Sequence, residues 1–211
     1  KLYHLSPLQC RQPGVSTPNA DMDENGNNLP ALAANMARLY PANWRKVIRA
    51  MRNIVPGLAE IEPEFTYDHR LTLKFTEVGV GRPWSTADVS DGTIQSLAMF
   101  AALFDPRSTL SLIEEPENSV HPWILRTFVD ACRDVVNKQV IITTHSPVLL
   151  NYLSPADVFV VSKKDGRTAI TPLSVLDSTA MDGWSNGEVS VFDLLDSGLV
   201  SEAVPGMYET P

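Results

Sequence analysis

The sequence predicts an α/β fold, and two observations carry that prediction. Beyond Ser90, apolar runs that do not alternate (residues 110–113, 140–143 and 158–161) are separated by stretches of helical period. Such runs are the mark of a sheet buried on both faces by helices. Before Ser90, Leu71, Leu73 and Phe75 alternate with Thr72, Lys74 and Thr76. That is the period of a half-buried strand, and it predicts a small antiparallel hairpin with residues 65–67.

Taken in order, residues 1–28 are rich in Pro, Asn, Asp and Gly without a sustained period, so they read as loop with at most one short element. Helical periodicity covers about 30–39 and 44–54, punctuated by Pro30, Pro41 and Pro56. After the hairpin come a helix over 92–104, the strand 110–113, a helix over 123–136, the strand 140–143, a short helix over 147–152 and the strand 158–161. Lys164-Asp165-Gly166 reads as a turn into a further strand over 168–173. The remainder is rich in Ser, Gly and Asp around one short helix, 189–195. These elements divide a single domain into a leading region (1–89), a core (90–173) and a tail (174–211).

Composition narrows the classes. With 211 residues, 44% hydrophobic and 20% charged, the chain can bury a real core. No apolar stretch approaches the roughly 18 residues that would suggest a bilayer span, and the polar start lacks the regions of a signal peptide. No membrane partner and a cytoplasmic location are therefore expected. Cys10 and Cys132 stand far apart with no CxxC, which points to buried thiols rather than a disulfide or a zinc site. The net charge of -8 opposes polyanion binding by the chain as a whole. Arg45, Arg49 and Arg52, at helical spacing among apolar residues, accordingly read as a solvated helix face.

Three groups of residues carry chemistry. The apolar run ending at Ile113 gives way to Glu114-Glu115-Pro116-Glu117. Ligands of open α/β sheets bind beyond the carboxyl ends of the strands, so these acids fall where a site is expected. Adjacent residues leave a strand in opposite directions, so one of Glu114 and Glu115 can hold a hydrated Mg²⁺ while the other orients or deprotonates water. A solvated acidic loop is the plain alternative. The next apolar run ends in Thr143-Thr144-His145-Ser146-Pro147, and a parallel neighbour would deliver His145 to the same edge, against a γ-phosphate or a catalytic water. A structural histidine is the alternative there. Ser90-Asp91-Gly92-Thr93 opens a helix, where capping residues and free N–H groups can present a phosphate site or merely cap.

In order and spacing, Ser90-Asp91-Gly92-Thr93, then Ile113-Glu114-Glu115-Pro116-Glu117-Asn118 with His121-Pro122, then Thr143-Thr144-His145-Ser146-Pro147, resemble the RecF/SMC-like ABC-type ATPases. The likeness is greatest to their prokaryotic "AAA ATPase" branch, which includes the OLD-family and anti-phage defence ATPases, and it covers about residues 2–173. The resemblance implies an ABC-ATPase-type, P-loop NTPase-like sheet, of which this chain carries the C-terminal half. It implies that Ser90, Asp91, Gly92 and Thr93 form the signature that contacts the partner subunit's nucleotide. It makes Glu114 the Walker B acid that holds Mg²⁺, Glu115 the catalytic glutamate, Asn118, Ser119 and His121 the D-loop, and His145 the switch histidine.

One feature departs from the family: no GxxxxGK[ST] occurs, and Gly79-Val80-Gly81 lacks the lysine and hydroxyl. The resemblance places the P-loop ahead of Lys1, so this half is expected to need a P-loop-containing segment or partner before ATP and Mg²⁺ are used, and to be inactive alone. A homodimer or a partner ATPase half, acting on DNA or gating an effector protein in DNA repair or anti-phage defence, is the function implied. The competing expectation is a non-catalytic module of the same fold that binds a protein partner. A hydrolase using Glu115 and Glu117 as a carboxylate pair would need a fixed spacing that a Pro-containing loop does not supply.

Overall fold

The structure, a computed structural model, describes residues 1–164, 166–176 and 178–196. It divides into two compact units, 1–145 and 146–211.

The first unit opens with β1 (Leu2–Tyr3) and α1 (Pro7–Cys10), followed by α2 (Leu29–Leu39) and α3 (Pro41–Ile54). Pro41 sits in the first turn of α3, where a missing N–H costs nothing. Trp44, Val47, Ile48, Met51 and Ile54 bury one face of α3 and leave Arg45, Lys46 and Arg49 exposed on the other, which is the amphipathic pattern the sequence carries. Next come β2 (Leu58–Phe65), β3 (Leu71–Glu77) and β4 (Trp84–Ser85), an antiparallel sheet in the order β2-β3-β4. Leu71, Leu73 and Phe75 face the core as their alternation requires. Their partner strand is longer than 65–67 suggested and runs from Leu58 to Phe65, with Tyr67 in the connecting turn. The Glu- and Pro-rich sequence of β2 conceals it, because both residue types are disfavoured in strands. Gly79, with φ of +80°, lies in the turn between β3 and β4, so the Gly79-Val80-Gly81 cluster serves a hairpin bend.

Then follow α4 (Asp91–Phe104), β5 (Leu110–Glu114), α5 (Pro122–Asp134) and β6 (Gln139–Thr143). Residues 94–103 of α4 are all buried, so this helix is the centre of the unit. Its Phe100 stacks on Phe104 at 6.2 Å and meets Phe128 of α5 edge-on at 5.7 Å. β5 and β6 are parallel neighbours, and β1 pairs in parallel on the far side of β5, giving the order β1-β5-β6. The segment read as loop thus contributes a strand to the main sheet, and its Tyr3 is fully buried. Two residues are too few to show a period, and only pairing with β5 makes them a strand.

The sheet is closed on one face only. Tyr3, Ser111 and Ile113 are buried, whereas Leu2, Leu110 and Ile141 on the opposite face keep 44%, 37% and 43% of their surface. This differs from the expectation of double burial, since an apolar run alone does not tell a covered face from an open one. At the C-terminus of α4, Asp105 has a side chain with no exposure and accepts from Arg107 and Lys1, while the Lys138 ammonium donates to the carbonyls of Ala102 and Asp105.

The second unit contains α6 (Pro147–Leu150), β7 (Phe159–Lys164), β8 (Arg167–Pro172), α7 (Leu173–Leu176), α8 (Ser178–Ser185) and α9 (Val191–Asp196). β7 pairs antiparallel with β8 in a sheet of its own and does not extend the parallel one, which corrects its reading as a third buried strand. The strands close at Lys164 and Arg167 as a tight turn requires, although Asp165 lies outside the described residues, as do 177 and 197–211 of the tail. Val158, Val160, Leu173 and Val191 form the core of this unit. No helix among the described residues is long and apolar enough to cross a membrane.

Candidate functional site

The carboxyl ends of β5 and β6 define the site. Glu114 pairs in register with Thr143, and the Glu115 amide donates to the Thr143 carbonyl at 2.9 Å, so the acidic turn and the His145 segment leave the sheet at one edge. Glu115 turns the chain sharply with φ of +43°, and Ser119 does so again at +62°. Non-glycine residues in this left-handed region are strained by about 1–3 kcal/mol each, and such strain clusters where geometry is used. The turn is braced internally: the Asn118 amide donates to the Glu115 carbonyl at 3.1 Å, and Asn118 Nδ2 donates to Glu115 Oε2 at 2.9 Å. Beyond it, His121 caps α5, its Nδ1 accepting from the Trp123 amide at 3.4 Å. His145 is exposed.

Ser90 caps α4, and its Oγ accepts from the Thr93 amide at 3.1 Å and lies 2.8 Å from Thr93 Oγ1. The capping role is therefore filled. A second feature brings this helix start into the site: a Cβ built on Gly92 would come within 2.9 Å of the Ser119 carbonyl oxygen. Only glycine allows that approach. The segment 90–93 and the turn 118–121 are thus packed side by side, while Glu114, Glu115 and His145 share the sheet edge next to that turn.

Two residues without a sign in the sequence join the site, His4 and Arg11, and Glu117 of the acidic turn takes a place there that the sequence does not specify. His4, just past β1, puts Nδ1 3.1 Å from Glu114 Oε2. Arg11 pairs with Asp91 at 2.6 Å and also donates to the Thr86 carbonyl, tying the first helical turn of α4 to the segment that follows β1. Glu117 accepts from Thr144 Oγ1 at 2.7 Å and from the His145 amide at 3.1 Å. His4 and Arg11 have no local signal, because each acts on a residue far away in sequence, and for Glu117 the acidic run marks the residue but not its partners beyond β6.

The donor set suits Mg²⁺. That ion keeps several waters and takes one or two carboxylates alongside substrate phosphates, and Glu114 at the end of β5 is a carboxylate that could hold it. A cage of three or more His, Cys, Asp or Glu is not formed among the described residues.

Several solved structures share this fold. The chain is 16% identical to an Smc head bound to the C-winged helix domain of ScpA, with a TM-score of 0.52, over 71% of this chain and 47% of that one. It is 15% identical to the Smc head domain with an extended coiled coil bound to the C-terminal domain of ScpA from Pyrococcus furiosus, with a TM-score of 0.50, over 74% of this chain and 40% of that one. A structure from work on ATP-driven dimerization and DNA-stimulated activation of SMC ATPases matches at 17% identity and a TM-score of 0.49, over 74% of this chain and 98% of that one. The match thus spans less than half of the two Smc heads. No curated protein matches the chain. Residues 16–151, which take in the signature-like helix start, the acidic turn and His145, match the family model described as "AAA domain, putative AbiEii toxin, Type IV TA system", and the chain belongs to that family.

Proposed function

We propose that this chain is the signature, Walker B and switch half of an ABC-type ATPase of the RecF/SMC-like kind, in the branch that includes the OLD-family and anti-phage ATPases. The observation that carries the reading is the convergence at one sheet edge: Glu114 and Glu115 end β5, His145 follows β6, and Gly92 packs on Ser119. A P-loop-containing segment completes the site and holds ATP. Bound Mg²⁺ would neutralise phosphate charge, with Glu114 as its protein ligand. Glu115, lifted out of the strand by its left-handed backbone and steadied by Asn118, accepts a proton from the attacking water or orients it. His145 donates a hydrogen bond to the γ-phosphate or that water. Ser90 and the amides of 91–93 meet the nucleotide of a second subunit, so ATP closes a head-to-tail dimer. Asn118, Ser119 and His121 line the junction, and dimer closure acts on DNA or gates an effector protein.

Calorimetric titration with Mg-ATP tests the division of labour. This chain lacks the glycine-rich nest and lysine that supply most phosphate contacts, so binding should be weak or absent, whereas the complete protein should bind stoichiometrically. Tight stoichiometric binding by the 211 residues alone would overturn the need for a P-loop segment. A non-catalytic, partner-binding module is the second reading, favoured by the open apolar face of Leu2, Leu110 and Ile141, and it predicts no ATP turnover in the complete protein either.

A further inference from the structure

We propose that Glu117 is a positioning residue for His145, acting through the loop that leaves β6 rather than as an acid in its own right; this rests on the ATPase reading above.

The carboxylate sits in an unusual place for a surface acid. Its Oε1 accepts two hydrogen bonds from consecutive residues of another strand's exit, from Thr144 Oγ1 at 2.7 Å and from the His145 backbone amide at 3.1 Å. A single oxygen therefore fixes both the residue before His145 and the backbone of His145 itself. Its Oε2 is buried and has no hydrogen-bond partner among the described residues. Leaving an acceptor buried and unpaired is unfavourable, so this is not an acid left idle on a solvated loop.

The clamp is also held at its own base. Pro116 before it and Val120 after it are buried, and the Val120 amide donates to the Glu117 carbonyl at 3.2 Å. His145, by contrast, is exposed. The imidazole thus stands on a loop whose backbone is pinned from the β5 side. The residue that orients it comes from the same acidic turn that carries Glu115. Glu115 and Glu117 belong to the same turn between β5 and α5, and Glu117 ties that turn to the backbone of His145 beyond β6, so one clamp links the two side chains. Misplacement by about 1 Å can cost on the order of 100-fold in rate, so a positioning role reads out in turnover rather than in binding.

A double-mutant cycle in the complete protein tests this. Glu117→Ala should lower kcat for ATP by about 10-fold to 100-fold and leave KM within about twofold. Glu117→Gln keeps a carbonyl oxygen with two lone pairs in place of Oε1 and should recover kcat to within about threefold of the parent. This near-isosteric variant also keeps the test open if the alanine variant does not fold. In a His145→Ala background, Glu117→Ala should cost less than about twofold further, because the group it positions is gone. Equal losses in both backgrounds, or a Glu117→Gln variant as slow as Glu117→Ala, would overturn the proposal while leaving an ATPase in hand. A complete protein that does not hydrolyse ATP would overturn the ATPase reading itself, and the positioning role with it.

Discussion

Asp105 and Lys138 show how single side chains secure the end of the central helix. The Asp105 carboxylate is fully buried, and burial alone would raise its pKa, but hydrogen bonds from Arg107 and Lys1 outweigh that and hold it below the ordinary value of 3.8. A depressed carboxylate stabilises the fold above its unfolded pKa, and that stability is lost as pH falls through the folded value. Asp105→Asn should therefore cost about 3 kcal/mol at neutral pH, by denaturant unfolding, and flatten the acid limb of the stability profile. Lys138 is lowered too, but by burial rather than by its partners. Burial pushes its ammonium down to about 8 from 10.5, so between those values the unfolded chain holds more protons and stability rises with pH. Lys138→Met should remove that rise, and an unchanged slope would show that another group causes it. At this scale the sequence was partly legible. Glu114 and Glu115 stood out because an apolar run ended in them, and His145 because a second run ended near it. His4 and Arg11 did not stand out, and Glu117 stood out as an acid without its role, since each finds its partner through pairing between distant segments.

The element that best separates capping from a further role is the start of α4. Ser90→Ala removes a side-chain cap and should cost about 1 kcal/mol. Gly92→Ala places a Cβ 2.9 Å from a backbone carbonyl, and moving the 118–121 turn aside should cost about 1–3 kcal/mol. Denaturant midpoints of the two variants check the order, and equal or reversed losses would mean that the turn yields freely. Because Gly92 packs within its own chain, a bulky variant there disturbs the fold as well as any contact with a second subunit, and Ser90 is the cleaner probe of such a contact. Helices and strands with a long period were readable to within a few residues: α3 by its amphipathic face, α4 by its unbroken apolar course and β3 by alternation. β1 and β2 were not, the first because two residues carry no period and the second because its solvent-facing acids mask it. β7 was seen as a strand but assigned to the wrong sheet, because apolar content does not encode which neighbour a strand takes.

For the molecule as a whole, the α/β class follows from apolar runs separated by helical stretches, and residues 16–151, which match the AAA-domain family, contain all three motif segments. The sequence already puts the exits of β5 and β6 at one edge; what it left open was where the start of α4 meets them. The parallel pairing of β5 with β6 brings the two strand exits to one edge, and the close approach of Gly92 to Ser119 puts the start of α4 beside the turn that follows β5. On the proposed reading, ATP hydrolysis at this edge rests on Glu115. In the complete protein, Glu115→Gln keeps size and hydrogen bonding but cannot accept the proton of water, so ATP should stay trapped between subunits. Turnover and sedimentation with Mg-ATP on that one variant are the most direct measurement: hydrolysis should be abolished while the nucleotide-dependent dimer persists or strengthens, and hydrolysis at the wild-type rate would show that Glu115 is not the catalytic glutamate.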